Sequence, residues 1–206
     1  MIVIPYKFTG ILEEWLKYRG LYSGSEFEFN TASNSTLTLQ EWTEVIHSVT
    51  TNVSGTALGL EIGQFIQLQH AGPLGYLIVN NKVFGQLLET YELFEKWFYG
   101  ENWLKKEITD TTINLIWDNR VGFPDRLFEQ VNSMALVTVI SKICPTVGYP
   151  IEVDVMNEEA GESADYYKAF NCQVRFSEKA MRLSYPLIAL NQPKDKCSEI
   201  EKGLPN

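Results

Sequence analysis

Apolar and polar residues change period several times along this chain, and each change marks an element. Leu12, Trp15, Leu16 and Leu21 recur at helical intervals with Glu13, Glu14, Lys17 and Arg19 on the other side, which predicts a helix over 11–22 with Gly20 as its stop. The Ser/Thr/Asn-rich stretch 23–38 has no apolar period and reads as a loop. A second helix over 39–53 carries the stripe Trp42, Val45, Ile46 and Val49, and a third over 57–66 carries Leu58, Ile62 and Phe65. "HAGPLGY" breaks that pattern, with Pro73 suited to the first turn of a further helix.

The widest stripe lies over 83–99. Phe84, Leu87, Leu88, Tyr91, Phe94 and Phe98 form it, Leu93 and Trp97 widen it, and Gln86, Glu89, Glu92, Glu95 and Lys96 fall mostly elsewhere. Two alternating runs follow, 103–108 and 111–118, which predict a hairpin with Ile113, Leu115 and Trp117 on one face. Pro124 and Asp125 then open a helix that is apolar nearly all round over 134–140, so it should be buried on several sides. Over 150–155, Ile151, Val153 and Val155 alternate with Glu152 and Asp154, a half-buried strand with an acidic outer face. Ser163 should cap a short helix that delivers the chain into two alternating runs, 172–176 and 181–185, read as a closing hairpin. Helices come first and strands gather later, the order of an α+β protein: about six helices packed with a small, mainly antiparallel sheet of about five strands.

Composition narrows the class. In 206 residues, 45% hydrophobic with 13% aromatic is enough for a core that needs no covalent staple. Cys144, Cys172 and Cys197 are irregularly spaced, with no C-x-x-C pair, and read as reduced thiols. No stretch approaches the roughly 20 apolar residues that span a bilayer, and the start lacks a leader pattern, so a cytoplasmic chain with no membrane partner is expected. A net charge of −9 repels nucleic-acid phosphates, which argues against direct DNA contact by these residues.

Catalytic signals are sparse. Only His47 and His70 could serve a nucleophile, the first read as a surface or capping residue and the second as bonding a carbonyl at a helix end. Cys172 falls on the apolar face of its strand. No nucleophile elbow, P-loop or dinucleotide fingerprint occurs. The acidic group Glu158, Glu159, Glu162 and Asp165 has no EF-hand frame and reads as a solvated turn. No catalytic residue, cofactor or metal is therefore expected. The aromatic excess points instead to a pocket between the long helix and the sheet, walled by Tyr91, Trp97 and Trp117. Arg175 and Arg182, on the polar faces of the last two strands, are candidates to meet a carboxylate at its mouth.

Several motifs occur in a fixed order: "KYRGL" closing the first helix, "TALGLEIGQ", "GPLGYLIVNN" followed by "VFGQLLETYELFEKWF", and "YYKAFNCQVRFSEKAMRLSYPLIALNQP". Together they resemble the N-terminal, arabinose-binding-like effector domain of AraC-type transcription regulators, over about residues 11–193. The resemblance implies a regulatory effector-binding domain over 1–193, a linker-like tail over 194–206, and a helix-turn-helix DNA-binding domain that is absent from this chain. It implies a small-molecule effector, here of amphipathic or apolar character, allows a homodimer, and leaves DNA to the separate domain. Such a domain has no catalytic activity. The rival readings are a small cytosolic hydrolase using Cys172 or Cys144 with a histidine, and a stand-alone protein-interaction adaptor.

Overall fold

The computed structural model describes residues 3–22, 36–99, 102–118 and 125–193; the tail expected over 194–206 lies outside them. Near the N-terminus, β1 (Val3–Pro5) pairs antiparallel with β2 (Thr36–Thr38) in a two-stranded sheet of its own. Helix α1 (Gly10–Arg19) stops at Gly20 as the pattern predicts. There the backbone turns to φ 68° and the Gly20 N–H reaches the carbonyls of Leu16 and Lys17, a conformation in which a Cβ would be strained. Helix α2 (Leu39–Thr50) opens with a reciprocal cap: Thr38 Oγ1 accepts from the Glu41 N–H at 3.2 Å, and the Glu41 carboxylate accepts from the Thr38 N–H at 2.7 Å.

Helix α3 (Leu58–Gly63) is short, and it owes its position to two glycines of the "TALGLEIGQ" motif. A Cβ on Gly59 would lie 2.7 Å from the Leu127 carbonyl oxygen, and one on Gly63 would lie 2.8 Å from that of Val131. The two bare positions let α3 press directly on the backbone of α6 (Arg126–Ile143). Helix α6 is N-capped by Asp125, whose carboxylate accepts from the Phe128 N–H at 2.8 Å. Pro73 begins α4 (Pro73–Val79), and the long aromatic stripe forms α5 (Phe84–Tyr99). In α7 (Ser163–Phe170), Ser163 is the first helical residue rather than the cap, a position that Glu162 holds without a capping side-chain bond.

Among the described residues the main sheet has five strands: β3 (Leu104–Ile108), β4 (Thr112–Asp118), β5 (Glu152–Asp154), β6 (Gln173–Arg175) and β7 (Ala180–Pro186). Their spatial order is β3-β4-β7-β5-β6, antiparallel except for the β5–β6 pair. The first predicted hairpin is present as β3–β4. The closing one is not. β6 and β7 do not pair, because β5 lies between them, parallel to β6 with α7 as the crossover and antiparallel to β7. With seven helices among the described residues and a mixed, mostly antiparallel sheet, the class is α+β.

Two apolar cores result. One joins the inner face of the main sheet, through Ile113, Leu115, Val153, Leu183 and Tyr185, to α5, α7 and the far half of α6. The other gathers α1 and α2 around Trp15 and Trp42, with Ile62, Phe128 and Val131. Helix α6 contributes to both, which explains why its middle is apolar nearly all round. Among the described residues no helix is long and apolar enough to cross a membrane.

Candidate functional site

Where the two cores meet, they leave a cavity of about 210 Å³. Helical spacing builds two of its walls. On α5, Leu87, Tyr91 and Phe94 recur four and three residues apart, and on α6, Phe128, Asn132, Ala135 and Val139 do the same. Trp117 of β4 faces Met181 of β7 and Leu104 of β3 across the strands, and Trp117 and Met181 form the sheet wall. Ile4, Phe8 and Leu39 close the space from the N-terminal side.

The lining is apolar with few exceptions, and the most consequential is Glu95. It follows Phe94 and stands one turn after Tyr91, on the buried side of α5, and it is only 2% exposed. Its Oε2 accepts from the main-chain N–H of Trp103 at 2.9 Å and of Leu104 at 2.8 Å, so it fixes the start of β3 against α5. The Tyr91 hydroxyl donates to the same carboxyl. Burial outweighs these three donors and pushes the Glu95 pKa up to about 7. Trp103 also lines the cavity, and its indole N–H is buried without a protein partner among the described residues. Asn132 is internally committed, its Nδ2 donating to the Phe128 carbonyl at 2.8 Å. Among the described residues no Lys or Arg lines the space.

Of the five residues expected at the site, Tyr91 and Trp117 line this cavity. Trp97 belongs to α5, and its side chain lies outside the described residues. Arg175 and Arg182 do not line it; they stand on the other face of the sheet in an ion network with Glu152 and Asp154, and Glu178 joins it 3.9 Å from Arg175. Arg175 Nε is 2.9 Å from Asp154 Oδ1 and its Nη2 is 2.8 Å from Glu152 Oε1, while Arg182 Nη2 lies 3.0 Å from Glu152 Oε1 and 2.6 Å from Asp154 Oδ2. The acidic outer face read for β5 is therefore neutralised by its neighbours, with Asp154 only 5% exposed. Glu95, read among the polar positions of the stripe, is instead part of the cavity wall. Its place four residues after Tyr91 and eight after Leu87 is the signal that assigns it to the buried face.

The groups weighed for catalysis are engaged elsewhere. Cys144 and Cys172 are buried, and desolvation raises the Cys172 pKa to about 11, the reverse of an activated thiolate; Cys197 lies outside the described residues. Exposed His47 bonds the cap residue Asp125 through Nε2. Buried His70 accepts the Gln67 N–H on Nδ1 at 3.2 Å instead of donating to a helix-end carbonyl on that atom, and burial lowers its pKa. In the acidic group, Glu162 accepts from the Ala57 N–H and from Gln130 Nε2, and Asp165 from Thr56 Oγ1, so these two tie α7 to α3 and α6. No metal-holding cluster of His, Cys, Asp and Glu occurs among the described residues.

Comparison with known proteins agrees with this layout. Residues 31–194 match the model of the family described as the arabinose-binding domain of AraC transcription regulator, N-terminal. A crystal structure of the transcriptional regulator CdpR from Pseudomonas aeruginosa has a similar fold, with a TM-score of 0.67 at 17% identity, over 93% of this chain and 59% of that one. No match was found among curated proteins. With the family model covering most of its length, the chain belongs to the N-terminal arabinose-binding domains of the AraC transcription regulators.

Proposed function

We propose that this domain senses a small apolar or amphipathic molecule taken into the cavity between its two cores, and relays its presence to a separate DNA-binding domain. The observation that carries this reading is the composition of the wall: Phe8, Leu39 and Phe128 come from the N-terminal core, and Tyr91, Trp103, Trp117 and Met181 from the sheet core. An occupant touches both bodies at once, so it favours one mutual packing over others, which is the requirement for a ligand to shift a conformational equilibrium. Tyr91 and Trp117 are the proposed contact residues. Arg175 and Arg182 take no direct part, being held by Glu152 and Asp154.

The role is binding without catalysis, in the cytoplasm. A thiol raised to about 11 and a histidine engaged with a helix cap support a non-catalytic domain. Self-association belongs to the same proposal, with the effector altering the monomer–dimer balance. A thermal-shift screen against aromatic and alkyl compounds tests the reading. A molecule at 100 times its dissociation constant should add about 2.7 kcal/mol to stability, read as a higher melting temperature. A broad library of such compounds leaving the melting temperature unmoved would count against the proposal.

A further inference from the structure

Among the described residues, six aromatic side chains surround the cavity: Phe8, Tyr91, Phe94, Trp103, Trp117 and Phe128. One carboxyl, Glu95, is set among them, and no Lys or Arg among the described residues lines the space to neutralise it. We propose that the cavity selects a lipophilic cation, a protonated amine carried on a single ring or a short alkyl body. The proposal rests on the reading of this cavity as the effector site and adds the charge of the effector.

Three physical arguments converge on a cation. Aromatic faces carry negative potential, so a cation among several rings is attracted to them, and more strongly where water is thin. Glu95 supplies the opposite charge from the wall itself. Burial without a counter-charge holds its pKa near 7, and an ammonium group beside it would restore the ionised form. A carboxylate ligand, by contrast, would bring a second negative charge to a wall that has no Lys or Arg among the described residues, since Arg175 and Arg182 are paired on the other face of the sheet. An uncharged ligand would suit the rings and leave Glu95 as it is. Size fits as well. A dry cavity of about 150 Å³ accepts benzene, so one of about 210 Å³ admits a ring with a short chain.

The test uses three molecules of nearly equal shape, 2-phenylethylamine, 2-phenylethanol and phenylacetate, titrated calorimetrically into the protein and its Glu95→Gln variant. At about pH 8 both Glu95 and the amine are mostly charged. The amine should bind about ten-fold or more tighter than the alcohol, with phenylacetate weakest. Glu95→Gln keeps an acceptor for the two main-chain N–H groups, and it should bring amine and alcohol to within about three-fold of each other. Alcohol or phenylacetate binding as tightly as the amine overturns the charge selection and leaves the cavity standing as a site. Absence of binding by all three at millimolar concentration overturns the site as well. The order in the unsubstituted protein decides the matter even where the variant loses stability.

Discussion

On α6, Glu129 is fully buried and receives the main-chain N–H of Met156 at 2.8 Å, that of Asn157 at 3.3 Å and the Asn157 side-chain amide. On α5, Glu95 is buried nearly as deeply and receives the main-chain N–H groups of Trp103 and Leu104. Both carboxyls perform the same local task, holding two consecutive backbone donors where a strand begins or ends, and desolvation raises the pKa of both. They differ in what adjoins them. Glu129 is shut off from solvent and is not part of the cavity wall, whereas Glu95 forms part of it. Similar hydrogen bonding thus holds a carboxyl within the packed core in one place and on the cavity wall in the other.

The comparison breaks most visibly on truncation. Glu129→Ala strands three donors in a closed core and should cost about 3–5 kcal/mol, read from the urea midpoint. Glu95→Ala should cost less, about 1–3 kcal/mol, because the lost carboxyl borders the cavity, from which a water molecule can take its place as acceptor. Equal losses would show that the cavity makes no difference to the carboxyl beside it.

The next effect is a pH dependence. The Glu95 pKa is about 7 in the fold and near 4.5 in the unfolded chain, so the fold favours its neutral form. Its contribution is fully present below about pH 4.5 and is lost as pH rises through about 7, an interval of about 3 kcal/mol. Chemical denaturation across that range should show stability falling with rising pH, and Glu95→Gln should remove a slope of about that size. A profile that Glu95→Gln leaves unchanged would remove Glu95 as its source. A smaller effect sharpens the same contrast. Tyr91→Phe deletes a donor to the Glu95 carboxylate, so the Glu95 pKa should rise further while Glu129 does not move, as carboxyl carbon shifts in an NMR titration would show.

Periodicity made much of this legible. The α5 stripe, the nearly all-round apolar α6 and the shared face of Ile113, Leu115 and Trp117 are local patterns, and each reports which side of an element is buried. Strand neighbours are not local. Alternation over 172–176 and 181–185 gave the faces correctly, yet it carries no information on the partner, and β5 enters between these strands from 20 residues upstream. The same insertion decides the fate of the arginines, since it sets Asp154 opposite both Arg175 and Arg182. Glu95 was hidden by its chemistry: a carboxyl in an aromatic stripe is ordinarily solvated, and only the return of the chain at Trp103 supplies the donors that let it be buried.

The central claim, that the cavity between the cores is the effector site, is tested most directly by the dissociation constant of the tightest compound from the thermal-shift screen, measured on Tyr91→Ala, Trp117→Ala and the surface control Glu89→Lys. Each alanine variant loses one aromatic wall contact and should weaken binding by about 1–3 kcal/mol, roughly 5- to 150-fold, with Glu89→Lys unchanged. Folded Tyr91→Ala and Trp117→Ala proteins that bind with unaltered affinity would contradict it.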